Sequence, residues 1–183
     1  MAYRSGTYVA FHAAGTSDPT ASDMKYYNLL RAWHVRDDND FTFVNSHDKA
    51  AAVRDSSSKQ RLRDVLAERL RNSKNMILIL GKTTRFDTDW VPFEIAYAID
   101  TCELPIIAAY PEYQYIQNPQ SHAAEWPLAL AQRIQNGTAR VIHVPFKREP
   151  LADAISQFSH DSLPTSGLSY YSREAYASFG ITI

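Results

Sequence analysis

Asn75-Met-Ile-Leu-Ile-Leu-Gly81 and, a few residues on, Phe86-Asp-Thr-Asp-Trp90-Val-Pro-Phe-Glu94-Ile-Ala96 decide how this chain is read. The first run is apolar throughout, as expected of a central parallel strand covered on both faces. The second opens an amphipathic helix. Pro92 is tolerated in a first turn, where its missing N–H costs nothing, and Asp89 stands where a residue can cap the end. Ile95, Ala98, Ile99 and Cys102 then form one core stripe. Glu94 is thereby predicted on the first turn of a helix at the C-terminal end of a strand, where open α/β sheets keep their ligands.

Working outward, the same alternation recurs. Thr7-Tyr-Val-Ala-Phe-His12 reads as a strand, and Ala13 to Ala21, rich in Gly, Ser, Thr, Asp and Pro, as a loop. From Ser22 to Arg36, Tyr26, Leu29, Leu30 and Trp33 fall on one helical face. Phe41-Thr-Phe-Val44 is a second strand, ending in Asn45-Ser-His-Asp48. Ser57-x-x-Gln60 resembles a capping box for a helix lined by Leu62, Val65, Leu66 and Leu70. Pro105–Tyr110 and Arg140–Phe146 are the fourth and fifth strands, and Glu149–Phe158 is a further helix. The order predicts an α/β, flavodoxin-like doubly wound sheet of five parallel strands, 2-1-3-4-5, with 76–80 central and 41–44 at an edge. Residues 1–159 form the expected domain, with an insert at 111–139 that carries Tyr113, Tyr115 and Trp126. Its length and aromatics suggest a cover over the strand-end crevice, a lid or an assembly surface, with a decorated edge far from the crevice an equally open reading. Residues 160–183 are expected to be a partly packed extension.

Composition narrows the function. The 183 residues are 45% hydrophobic and 21% charged, ordinary for a globular protein, with nineteen basic against twenty acidic residues. That balance gives no support to steering toward nucleic acid or an anionic membrane. The lone Cys102 cannot form an intrachain disulfide, and a reducing, cytoplasmic setting is the expectation. No apolar run approaches a membrane span. Asn136-Gly-Thr matches a glycosylation sequon but reads as a turn.

Several chemistries lack their motifs. There is no G-x-G-x-x-G, no P-loop and no G-x-S-x-G elbow. The six histidines show no ligand spacing, so no metal is expected. A receiver domain would need acids where this chain has His12-Ala-Ala and Gly81-Lys-Thr. What remains is the rim of strand ends: Phe11, His12, Ser46, Asp48, Trp90, Glu94 and Tyr110. Aromatics there can stack on an adenine or nicotinamide ring, and hydroxyl or carboxylate groups can hold ribose. Glu94 sits about 100° round the helix from Ile95, so it is expected half-buried at the helix edge, able to stabilise positive charge at an anomeric carbon. From the residues alone, an acid on a first helical turn is most often a dipole-compensating surface residue, and Trp90 also reads as a core staple.

The element order, with Tyr8-Val-Ala-Phe-His12, Asn75–Lys82, Trp90-Val-Pro-Phe-Glu94-Ile and Leu104-Pro-Ile-Ile107, resembles the TIR-like family of bacterial anti-phage defence, particularly the TIR subunit of Thoeris systems. The resemblance implies cleavage of the nicotinamide–ribose bond of NAD, as substrate and with no cofactor, by Glu94 as the catalytic residue. In the resemblance, Phe11-His12 matches the family's aromatic-plus-polar strand end; with Ser46, Asp48, Trp90 and Tyr110 on the same rim, these are the expected substrate contacts. Some members rejoin the ADP-ribose to itself, giving a cyclic isomer that activates a partner effector, and TIR domains associate with one another. A non-catalytic TIR scaffold and a nucleoside deoxyribosyltransferase-like enzyme are the competing classes. The loop after the second strand is short and lacks the long loop by which animal TIR domains assemble.

Overall fold

A computed structural model describes residues 4–14, 22–37, 43–44 and 56–183. In chain order the elements are β1 (Gly6–Ala10), α1 (Met24–Asp37), β2 (Phe43–Val44), α2 (Ser56–Arg71), β3 (Ser73–Ile79), α3 (Trp90–Ala96), β4 (Ile106–Tyr110), α4 (Leu128–Gln135), β5 (Val141–Pro145), α5 (Arg148–Gln157), β6 (Ser169–Tyr170) and α6 (Arg173–Ser178). The strands form one sheet in the order β2-β1-β3-β4-β5-β6, and every pairing is parallel. The sixth strand was not expected: Ser169 and Tyr170 pair with Ile142 and His143 and extend the sheet beyond β5. No helix among the described residues is long and apolar enough to cross a membrane.

Parallel strands are covered on both faces, and the alternation along β1 shows how. Tyr8 and Ala10 point into a core with Leu62, Leu66, Trp90, Val91 and Ile95, under α2 and α3. Val9 and Phe11 point into the other core, with Met24, Tyr27, Leu30 and Leu151, under α1 and α5. Two helices are rotated from their expected faces. On α1, Tyr27 is buried and Leu29 is 42% exposed. Tyr27 stacks on Phe11, whereas Tyr26 and Trp33 form an edge pair against Phe146, leaving Leu29 outside. On α2 the buried line is Leu62, Leu66 and Leu70, and Val65 faces solvent.

α3 does not end as a regular α-helix. Tyr97–Thr101 forms a π turn, and the Cys102 N–H reaches back to the Tyr97 carbonyl. Asn136-Gly-Thr is a turn after α4: the Thr138 N–H donates to the Asn136 side chain and Gly137 takes a φ of 77°. The segment after β4 stays at the carboxyl end of the sheet. Glu112 lies 3.7 Å from Lys82, and the Arg85 guanidinium donates to the Ala124 carbonyl at 2.8 Å. From the tail, the buried Tyr176 hydroxyl bonds both the N–H and the carbonyl of Ile116, at 3.0 Å each.

Candidate active site

The turn after β3 positions α3. Gly81 ends the strand run so closely against Asp23 that a Cβ there would stand 1.9 Å from its carboxylate. The Gly81 N–H donates to the Thr84 hydroxyl oxygen at 2.9 Å, and that hydroxyl lies 2.8 Å from Asp23 and 3.0 Å from the Ile79 carbonyl. Burial pushes the Asp23 carboxyl above its ordinary pKa, against the Thr84 hydrogen bond. Sequence reasoning passed over Asp23 and Thr84, although an Asp at the mouth of a helix facing a Gly-Lys-Thr-Thr turn is a recognisable pairing.

Capping of α3 differs from the expectation. Asp87, not Asp89, accepts the exposed N–H groups, from Asp89 at 2.9 Å and from Trp90 at 3.0 Å. Asp89 is turned outward to α2, where Lys59 donates at 2.7 Å and Arg63 at 3.0 Å. The hydrogen bond from Lys59, with that from Arg63, holds the Asp89 carboxyl below its usual range. Two competing cations outweigh one backbone N–H as partners for the carboxylate.

Glu94 is not half-buried at a helix edge; its exposure is 0%. The helix starts at Trp90, which makes Glu94 its fifth residue rather than a first-turn acid. The Tyr8 hydroxyl donates to Glu94 Oε1. Tyr8 is in the middle of β1, so Glu94 lies beneath the strand-end rim and not on it. Burial, then the negative charge of Glu94, then the hydrogen bond to it push the Tyr8 phenol well above its ordinary pKa. Trp90 is 8% exposed and packs in the same core, with the Arg63 guanidinium 6.0 Å from its ring. Tyr8 was read from sequence only as part of a strand; its partner is 86 residues away, and no local pattern announces such a pair.

The other expected site residues are dispersed. Phe11 is fully buried on the opposite face of the sheet, its ring 5.2 Å from that of Tyr27. His12 stays on the rim, with Nδ1 2.9 Å from the Thr83 hydroxyl, beside a cleft of about 180 Å³ lined by Asp23, Tyr26, Lys82, Thr83 and Glu112. Tyr110 is buried in a different polar group: its hydroxyl accepts from Trp126 Nε1 at 2.7 Å and lies 2.8 Å from His143 Nδ1. His143 Nε2 lies 2.9 Å from the Gly167 carbonyl, which can only accept, so this nitrogen carries the proton and Nδ1 accepts from Tyr110. Ser46 and Asp48 lie outside the described residues. The structure therefore brings Glu94 together with Tyr8, puts Phe11 in the opposite core, and leaves Tyr110 in the same core as Tyr8 and Trp90 but with its hydroxyl committed to Trp126 and His143.

A doubly wound parallel sheet with helices on both faces, carrying an acid on the helix after its third strand, is the architecture of a TIR-like, flavodoxin-like domain. Residues 8–116, more than half of the chain, match the family model described as Thoeris protein ThsB, TIR-like domain, and the chain belongs to that family. Its role is accordingly that of a TIR domain in anti-phage defence. The matched span takes in Tyr8, Trp90, Glu94 and Tyr110 and stops before Trp126, β5 and the tail.

Proposed function

We propose that the protein cleaves the nicotinamide–ribose bond of NAD through Glu94 and releases an ADP-ribose product, cyclic or linear, that signals to a partner effector. The C–N bond breaks with its electron pair leaving on nicotinamide, which departs neutral, and the anomeric carbon is left oxocarbenium-like. The Glu94 carboxylate offsets that positive charge at close range in a site of low dielectric. Water then adds and loses a proton, giving ADP-ribose, or a nucleophile of the same molecule adds and closes a ring. Trp90 stands four residues before the acid on the same helix, and His12 with Thr83 offers polar contacts at the rim. Phe11 and Tyr110 are left out of the proposed substrate contacts, since both are fully buried in other packing.

One observation carries this reading: a carboxylate with no exposure, held by a buried phenol on the helix after β3. Burying an acid costs stability unless it is paired, and such acids concentrate where chemistry needs them. Because Glu94 has no exposure in this state, NAD has to open the site to reach it. The same burial favours a second reading, a TIR scaffold in which Tyr8 and Glu94 only fasten α3 to the sheet. Incubation with NAD, with and without extract from phage-infected cells, followed by chromatographic separation of products, tests both. Release of nicotinamide with ADP-ribose or a cyclic isomer is expected; intact NAD under every condition favours the scaffold.

A further inference from the structure

We propose that Tyr8 is a positioning residue for Glu94: its hydroxyl, carried on a rigid strand, fixes Oε1 of the carboxylate and holds the acid in its anionic form. This rests on the reading of Glu94 as the group that meets the ribose, and it assigns the residue that sets that group's direction and charge.

The geometry supplies the reason. Tyr8 is fully buried at the middle of β1, with Thr7 and Val9 both paired into the sheet beside it. Its ring shares a core with Leu66, Trp90 and Ile95, so the hydroxyl is aimed by packing on a strand and not by a mobile loop. Glu94 comes from another element 86 residues away and receives that hydroxyl at Oε1. A hydrogen bond of this kind, from a donor fixed on a strand, restricts the rotation of the carboxylate and so sets its direction.

The charges around the pair define what the hydroxyl can do. Among the described residues, Tyr27 from α1 and Arg69 from α2 are the other groups whose charge reaches Tyr8. Further along the same flank, Lys59 and Arg63 of α2 are engaged with Asp89. Burial and the neighbouring carboxylate keep the phenol protonated, so it serves as a donor and never as a base. A donor to the charged form of a carboxylate favours that form. A packing role alone would be met by phenylalanine, which fills the same space without a buried hydroxyl to satisfy.

Tyr8→Phe is the test, read in two ways. In protein labelled with ¹³C at the glutamate side-chain carboxyl, the Glu94 signal is assigned by its absence in Glu94→Gln, and its titration is followed in wild type and Tyr8→Phe. The midpoint is expected to move to higher pH by about one unit or more, a tenfold change in proton affinity. The acid limb of the pH profile of NAD turnover should move with it, kcat falling by about tenfold or more at mildly acidic pH while KM changes little. If Tyr8→Phe fails to fold, meta-fluorotyrosine at position 8 keeps the shape and strengthens the donor, and both midpoints should move the opposite way. Superimposable titrations and pH profiles overturn the positioning role. Should Glu94→Gln retain full turnover, the catalytic reading falls whatever Tyr8→Phe does. A shifted Glu94 titration in a protein that leaves NAD intact would instead uphold Tyr8's hold on the carboxylate and remove its catalytic purpose.

Discussion

Two buried tyrosines on the same face of one sheet do opposite things. Tyr110 belongs to a neutral hydrogen-bonded chain in which every member has its partner: Trp126 donates to Tyr110, Tyr110 to His143, and His143 to the Gly167 carbonyl. Tyr8 donates to the carboxyl group of an acid with no exposure. The first arrangement ties the 111–126 segment and the tail to β4 and β5, and it asks nothing of water or ligand. The second is costly unless the acid is paired, and the Tyr8 phenol is a partner on the sheet. Within one core, the closed neutral chain fastens, and the buried acid is the group to which we assign the proposed chemistry.

The sharpest way to break that contrast is Tyr110→Phe. It strands the Trp126 N–H and His143 Nδ1, two buried groups at about 1–3 kcal/mol each, so a loss of about 4 kcal/mol is expected in chemical denaturation. The acid limb of NAD turnover should not move. A cost below about 1 kcal/mol would mean that the chain is not the fastening described.

Next in size is the pH dependence of the same chain. Burial lowers the His143 pKa from 6.5 to about 4. A histidine held neutral in the folded state contributes stability that is complete above about 6.5 and is lost as pH falls toward about 4. At about 1.4 kcal/mol per unit this amounts to about 3 kcal/mol. Denaturation midpoints measured between neutral pH and about pH 4 should show this slope in wild type and lose it in His143→Gln. Equal slopes in the two proteins would contradict the neutral tautomer.

The smallest effects separate the two aspartates before α3. Asp87→Ala should cost about 1 kcal/mol, because Asp87 carries the cap. Asp89→Ala should cost about 0.5 kcal/mol and only at low salt, since its partners Lys59 and Arg63 are about 40% exposed. The reverse order would restore Asp89 as the cap.

How much of this was legible in the sequence follows the range of each interaction. β1, β3, β4 and β5 announce themselves as apolar runs because parallel strands are buried on both sides. The period of two along β1 already separates Phe11 from Tyr8, and heeding it would have kept Phe11 away from Glu94. β6 escaped notice because it is two residues long, one of them 50% exposed. The π turn was invisible, since Ile95, Ala98, Ile99 and Cys102 also satisfy a plain helical stripe. The partners of Glu94 and Tyr110 come from distant elements, which no local spacing encodes.

The central claim, that the charge of Glu94 drives NAD cleavage, is tested most directly by turnover and stability of Glu94→Gln measured side by side. The amide keeps the shape and still accepts from Tyr8, but it cannot offset an oxocarbenium-like centre. Turnover is predicted to fall by roughly two orders of magnitude or more. The denaturation midpoint should hold or rise, because a buried charge has been removed. Comparable turnover in the wild type and a properly folded Glu94→Gln variant would contradict the account and leave the pair with Tyr8 as a structural fastening.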